Sequence, residues 1–258
     1  MSQLTPLHEL TLDPERLLQI QRHDLVPLLQ DQHRLNHYAD HLIQAQSVLM
    51  NGVDPVLRQD LSQIIEKLIQ ALNNSDHYLK KRHFGAFRRW FGHDLDYASK
   101  QIEYYQDLDH LLKRADQISQ KLHVEIQKNQ SRYQQLLGLR EQMAHYIQAG
   151  QQFLHEYPKF VQKQHPLDTF HQRLSKKVNS LMVLQSHNDM AMMQMYLSQQ
   201  LSFSLLDRFK EAQQVLIPAW QYHVQQSQHA QSNDMLTKLN QSRDRLIDTL
   251  KNSLQKPS

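Results

Sequence analysis

The 258-residue chain contains no cysteine, and only 5 glycines and 8 prolines. Without cysteine the protein can form no disulfide, thiolate nucleophile or thiolate metal site. The scarcity of glycine and proline disfavours β-rich folds, which need turn residues at intervals of about 8–12 positions. It also leaves no glycine-rich loop that could hold a phosphate. The composition therefore indicates a mainly helical protein without thiol chemistry.

Strong net charge and long apolar runs are lacking as well. The formal net charge of +3 is too small to imply nucleic-acid binding by itself. No apolar run approaches the about 18–20 residues of a membrane-spanning helix, and the first residues lack the basic and apolar regions of a secretory signal. We therefore expect a cytoplasmic protein with no specific nucleic-acid partner, and association with an anionic membrane surface is the alternative.

Motifs for catalysis are also missing. The sequence has no Gly-x-Ser-x-Gly nucleophile motif, no His-Glu-x-x-His metal motif and no dinucleotide-binding fingerprint. We therefore expect a protein that is not an enzyme and needs no cofactor.

Three histidines give the best metal-like pattern. His33, His37 and His41 follow one another at steps of four, which would place the imidazoles on one face of a helix in a zinc-like geometry. That face points away from the apolar stripe of the same predicted helix. Solvated histidines are therefore favoured over a metal site.

Prolines and glycines divide the chain into helices. Asp13-Pro14 and Asp54-Pro55 combine a capping side chain with a proline at the first helical position. These signals predict one helix from residue 14 to about 50 and a second from 55 to about 72. A last helix is predicted at about 235–254 from its leucine spacing.

Two longer spans, about 94–157 and 169–217, contain no proline in their interiors. In the first, apolar residues alternate steps of three and four, which is heptad spacing, at Leu108, Leu111, Ala115, Ile118 and Leu122. We expect the two spans to lie antiparallel, joined near Pro158 to Pro166. The predicted fold class is all-α, an elongated bundle of long antiparallel, coiled-coil-like helices. The predicted domains are an N-terminal helical region, 1–79, and a long-helix bundle, 80–258, with one continuous helical domain as the alternative.

The second long span contains a methionine-rich stretch. On a helix, Met192 and Met195 lie on the inner stripe, whereas Met190 and Met193 lie on an adjacent stripe that continues to Leu197 and Leu201. Flexible filling of the core is the favoured interpretation, because methionine adapts to irregular gaps. A methionine-rich groove for a partner helix is the alternative.

A short basic and aromatic segment, KKRHFGAFRRWFG, covers residues 80–92. On a helical wheel its phenylalanines cluster on one side and its basic residues on the other, as in helices that bind an anionic membrane surface. Docking of the aromatic rings on the following helix is favoured over membrane contact, and contact with single-stranded nucleic acid is a third possibility. The candidate membrane or partner contacts are Lys80, Lys81, Phe84, Phe87, Arg88, Arg89, Trp90 and Phe91.

Several motifs, in order along the chain, carry a family resemblance. They are LDPERL, FGAFRRWFG, YIQAGQQFL, the QRLS that opens the second long span, the Leu- and Gln-rich run around Gln185, and LIPAWQYHV. Together they resemble the toxic-anion-resistance family, the TelA/KlaA-like proteins named for tellurite resistance. Gln194-Met195-Tyr196 stands where the family has Gln-Asn-Asn, and only a short stretch follows Trp220. The chain therefore resembles a shortened or divergent member.

The resemblance implies structural roles for Arg173, Gln185, Pro218 and Trp220. It also implies action in stress resistance, against toxic anions such as tellurite or against envelope stress. Chemical reduction of the anion would need an electron source, and no cysteine, haem motif or dinucleotide fingerprint supplies one. The expected function is therefore that of a helical scaffold that acts through a protein partner. The alternative is a peripheral membrane-binding protein that uses residues 80–92.

Overall fold

The computed structural model of the protein describes residues 4–75, 93–160, 169–229 and 233–255. These residues form α-helices, 3-10 helices and π-helices, and none of them forms a β-strand. The α-helices are α1 (Pro14–Ile20), α2 (Asp40–Leu49), α3 (Pro55–Asn73), α4 (His93–Phe160), α5 (Phe170–Glu211), α6 (Ile217–His229) and α7 (Asn233–Leu254). The predicted all-α fold of long helices packed against one another is confirmed.

Two predicted helix starts are confirmed in detail. The Asp13 carboxylate accepts a hydrogen bond from the Glu15 amide at 3.0 Å, and the Asp54 carboxylate accepts one from the Val56 amide at 2.9 Å. A proline follows each capping residue, at a position where the helix needs no amide hydrogen. Local sequence therefore determines where α1 and α3 begin.

The predicted continuous helix from residue 14 to about 50 is wrong. The α1 helix ends at Ile20, and a π-helix (Gln21–Leu25) and 3-10 helices (Val26–Leu29 and Gln32–His37) follow it. Pro27 has no amide hydrogen for the helical series, and Ala39 adopts a left-handed conformation with φ of 62°. The chain therefore changes direction before α2.

The α4 helix continues through Gly138, Gly150 and Pro158 to Phe160, so it ends slightly beyond the predicted boundary. After α5, a π-helix (Ala212–Leu216) leads into α6. Pro218, in the first turn of α6, has no amide hydrogen for the regular i to i−4 series, which is a common reason for such local widening. Pro218 therefore does not end the helical path, which continues to His229.

The chain forms two compact units, of which unit 1 contains residues 1–52 and 128–198 and unit 2 contains residues 53–127 and 199–258. The predicted domain boundary between residues 79 and 80 lies outside the described residues and stays a prediction.

Within unit 1, α4 and α5 are antiparallel. Tyr157, near the end of α4, stacks on Phe170 at the start of α5 with ring centroids 5.3 Å apart, whereas Arg140, earlier in α4, meets Asp189, later in α5. The largest apolar core of unit 1 joins these helices to the N-terminal segments, through Leu17, Ile20, Leu25, Leu28, Leu35, Tyr38, Ala39, Leu42, Met143, Ile147, Ala149, Phe153, Tyr157, Phe170, Leu174, Val178 and Leu181.

Within unit 2, the core combines residues of α3, α4, α5, α6 and α7. Trp220 is 1 % exposed and belongs to this core, together with Leu61, Ile65, Leu68, Leu122, Phe209, Leu246 and Leu250. A hydrogen bond from the Gln213 side-chain amide to the Asp116 carboxylate, 2.9 Å long, links the π-helix after α5 to α4. Contacts within unit 2 therefore stabilise the π-helix before α6.

Candidate interaction surface on helix α5

The methionines that the sequence placed on the inner face of α5 are buried. Met192 is 0 % exposed and Met195 is 4 % exposed, and both pack with Tyr133 and Leu136 of α4. Unbranched methionine side chains fill the irregular space between the helices. For these two residues the core-filling interpretation is confirmed.

The neighbouring stripe of α5 is exposed. Its four apolar side chains, Val183, Met190, Met193 and Leu197, are between 51 % and 62 % exposed, and we call them the α5 stripe. The core-filling interpretation is therefore wrong for Met190 and Met193. Val183, Met190 and Leu197 follow at steps of seven, so they lie along one line of the helix over about 21 Å. The α5 stripe is an apolar surface with the spacing of a helix-binding seam.

A buried amide network holds the opposite face of α5. The Gln46 side chain in α2 donates to the Gln185 side-chain oxygen at 2.9 Å, and the Asn188 side chain donates to the Gln46 oxygen at 2.7 Å. Gln46 and Gln185 are both 0 % exposed. Because a buried amide is costly without its partners, these bonds select one register of α5 against α2.

A charged pair extends this network to α4 and the N-terminal segment. The Arg140 guanidinium contacts both carboxylate oxygens of Asp189, with Nε–Oδ1 and Nη2–Oδ2 distances of 2.8 and 2.9 Å. The same guanidinium donates to the Thr5 carbonyl at 2.7 Å, and Gln185 donates to the Asp189 carboxylate at 2.7 Å. The Arg140 side chain is only 5 % exposed. Two-point pairing of this kind is directional, so it fixes the rotation of α5 and keeps the α5 stripe outward.

The sequence analysis missed Arg140 and Asp189, although a signal was present. Arg140 continues the spacing of the buried residues Leu136, Met143 and Ile147, so it occupies a position that the heptad pattern reserves for a core residue. A charged residue at such a position requires a buried partner. Asp189, on the antiparallel helix, is that partner.

The three histidines singled out by sequence do not share a helical face. His33 and His37 belong to a 3-10 helix, and the left-handed Ala39 separates them from His41 in α2. His37 contacts the Asp40 carboxylate at 2.9 Å, whereas the His41 ring packs edge-on against Tyr146. Among the described residues, no group of three or more histidines and carboxylates has a geometry suited to a metal ion.

Charge and burial shift the pKa values of Asp40 and Tyr146 in opposite directions. The Lys177 ammonium donates to the Asp40 carboxylate at 2.8 Å, and this hydrogen bond lowers the pKa of Asp40. Burial, with the nearby Asp24 charge as a further cause, raises the pKa of Tyr146 to about 12. Tyr146 therefore remains a neutral hydrogen-bond donor, and its hydroxyl donates to the Asp24 carboxylate at 3.1 Å.

The basic and aromatic segment lies outside the described residues. Its candidate contacts, Lys80, Lys81, Phe84, Phe87, Arg88, Arg89, Trp90 and Phe91, therefore stay predictions. In the described part of the chain, no helix combines the length and apolar character needed to cross a membrane.

The four motif residues lie in different places. Arg173 is in the first turn of α5, where its amide donates to the Thr169 carbonyl at 2.9 Å. Gln185 is in the buried amide network of unit 1. Pro218 is exposed in the first turn of α6, and Trp220, two residues later, is buried in unit 2.

Comparison with known proteins gives one distant relative. The chain is 26 % identical to protein KlaA of Escherichia coli over 193 residues, which cover 72 % of this chain and 72 % of that protein. No protein-family model matches the chain, and no solved structure matches it. The match to KlaA supports a relationship, at the family level, to the KlaA/TelA-like proteins indicated by the sequence motifs.

Proposed function

We propose that this protein is a non-enzymatic helical scaffold that supports resistance to toxic anions such as tellurite, or to envelope stress, by binding a protein partner through the α5 stripe. The distant relationship to KlaA supports a tellurite-resistance-like function. The exposed α5 stripe carries the proposal of a partner, because an apolar patch held on a rigid helix is a common feature of interaction sites.

The geometry of the stripe favours a helical partner. Its steps of seven present apolar side chains at the interval with which an amphipathic helix presents its own. Two of the four side chains are methionines, which adapt to the shape of a partner surface. The Arg140–Asp189 pair and the Gln46–Gln185 amides hold α5 in place from the opposite face, so that the surface exists before binding and little order is lost on association.

The proposal predicts that charges on the stripe abolish function without unfolding the protein. A deletion strain would be complemented with wild type, with Met190→Lys/Leu197→Lys, and with the matched control Val48→Lys. Val48 is 73 % exposed and lies in α2 of the same unit. Growth would be measured on tellurite and on envelope-active agents.

We expect wild type and Val48→Lys to restore growth, whereas the double variant fails although its helical dichroism and melting temperature are retained. Full rescue by the folded double variant would show that the stripe is not the binding surface. Equal growth of the deletion and parent strains in every condition would contradict the proposed role in resistance itself.

A further inference from the structure

The LIPAWQYHV motif, residues 216–224, has two faces with different surroundings. Ile217, Trp220 and Val224 point into the core of unit 2 and are between 1 % and 7 % exposed. The other face, formed by Leu216, Ala219 and His223, lines a groove of about 290 Å³ against α7. Core packing explains the residues of the first face and also Leu216, which is partly buried against the same core, but it does not explain Ala219 and His223.

The α7 side of this groove supplies polar and basic groups, which are Lys238, Gln241, Ser242 and Arg245. Among the described residues, no acidic side chain lines the groove. Within the described part of the chain, neither Arg245 nor His223 takes part in a hydrogen bond or ion pair, so their donors are available to a ligand. The Ser242 hydroxyl donates to the Leu239 carbonyl at 2.9 Å.

The positions of these groups suit an anion with a less polar part. Lys238 and Arg245 are seven residues apart on α7, so they lie on the same side of the helix with Cα atoms about 10 Å apart along its axis. The Lys238 ammonium pairs with the Asp234 carboxylate at 2.8 Å, so Arg245 is, among the described residues, the lysine or arginine of the groove that has no ion pair. The side chains of Leu216 and Ala219 form an apolar wall opposite.

An irregular helix lies directly beside the groove. The π-helix Ala212–Leu216 ends at the first lining residue, and π-helical turns occur frequently at functional sites because they redirect side chains. The following Pro218 lacks an amide hydrogen. Together these features set the rotation of α6 that turns Leu216, Ala219 and His223 toward α7.

We propose that the groove between α6 and α7 binds a small phosphate-bearing anion, with Arg245 and His223 donating to the phosphate oxygens and Leu216 and Ala219 contacting the less polar part. Arginine suits phosphate because its planar guanidinium donates two parallel hydrogen bonds. The groove, of about 290 Å³, is slightly smaller than the about 300–1,000 Å³ of common ligand pockets, so the ligand is small. The phosphate can belong to a free anion or to a lipid headgroup.

Two binding experiments distinguish a free anion from a lipid headgroup. Calorimetric titration with inorganic pyrophosphate tests the free anion, and flotation with vesicles that contain phosphatidylglycerol tests the headgroup. Each would be performed on wild type, Arg245→Gln, His223→Gln and the matched control Lys251→Gln. Lys251 is an exposed cation of the same helix and does not line the groove. Helical dichroism would be recorded for every variant.

We expect wild type to bind one of the two probes and Arg245→Gln to weaken binding at least about tenfold, as loss of a charge-assisted hydrogen bond requires. His223→Gln should weaken binding less, and Lys251→Gln should not change it. Binding of pyrophosphate identifies a free anion, and binding of vesicles alone identifies a headgroup. Binding of neither probe, or an equal loss in Arg245→Gln and Lys251→Gln, would overturn the proposal. Because the groove and the α5 stripe use different residues, this result is independent of the scaffold function.

Discussion

Arg140 replaces an apolar residue in the heptad pattern of α4, between Leu136 and Met143, which are both 0 % exposed. A buried guanidinium is costly unless its charge and donors are paired, and the Asp189 carboxylate and the Thr5 carbonyl accept three hydrogen bonds from it. Loss of one partner would leave a buried charge uncompensated. The pair therefore acts as a constraint on how α4, α5 and the N-terminal segment can pack.

At the residue scale, substitutions of Trp220 can separate the stability that the buried ring contributes from the cost of its unpaired indole N–H. The ring is 1 % exposed, and its indole nitrogen has no hydrogen-bond acceptor among the described residues. We predict that Trp220→Ala lowers the free energy of unfolding by about 3–5 kcal/mol. Trp220→Phe should cost clearly less, because it retains an aromatic ring and removes the unpaired donor. Urea denaturation measures both, and a cost under about 0.5 kcal/mol for Trp220→Ala would contradict the structural role.

The Asp40–Lys177 pair gives a prediction of pH dependence. The hydrogen bond from Lys177 lowers the pKa of Asp40 in the folded protein, so the pair contributes stability above the unfolded pKa of about 3.9 and loses it as the pH falls through the folded pKa. Because the carboxylate is partly exposed, we expect Asp40→Asn to lower the free energy of unfolding by less than about 1 kcal/mol at pH 7.

That difference should remain constant down to about pH 5 and should close below about pH 4. Denaturation curves at each pH measure it, with Asp248→Asn as the control, since Asp248 makes no ion pair in the described residues. A difference between wild type and Asp40→Asn that persists unchanged at acid pH would show that the pair is not its source.

At the scale of the helical element, two glycines within α4 have opposite surroundings. A Cβ atom at Gly138 would meet nothing within 4 Å, whereas one at Gly150 would lie 2.6 Å from Cγ2 of Val178 in α5. Val178 is 1 % exposed and β-branched, so it has little freedom to move away. Gly150 therefore permits close approach of α4 and α5, and Gly138 has no such role in the described residues.

We predict that Gly138→Ala raises the free energy of unfolding by up to about 1 kcal/mol, through helix propensity alone. Gly150→Ala has the same propensity gain but should lower stability, because overpacking costs about 1–3 kcal/mol. Thermal melts of the two variants provide the comparison, and each variant is the control for the other. A stabilised Gly150→Ala protein would show that α4 and α5 are less closely packed there than the structure indicates.

At the scale of the whole molecule, sequence periodicity predicted the helical elements but not their grouping. Residues distant in sequence are combined in each unit, as when 53–127 joins 199–258 in unit 2. Heptad spacing reports which face of a helix is apolar, but it does not report which other helix covers that face. The same limit applies to the methionines, because the pattern placed Met190 beside Met192 and could not show that one is exposed and the other buried.

The sequence by itself determined the all-α class, the caps at Asp13 and Asp54 and the approximate span of α4, because these depend on interactions within a few residues of one another. Pro27 was a partial sequence signal for the break between α1 and α2. The left-handed conformation of Ala39, in contrast, follows from the packing of that segment within unit 1. Only the tertiary structure decided the pairing of Arg140 with Asp189 and of Gln46 with Gln185, and the exposure of the α5 stripe. These features depend on contacts between residues 49 and 139 positions apart in the chain. A local sequence pattern can show that a buried polar residue needs a partner, but it does not identify that partner.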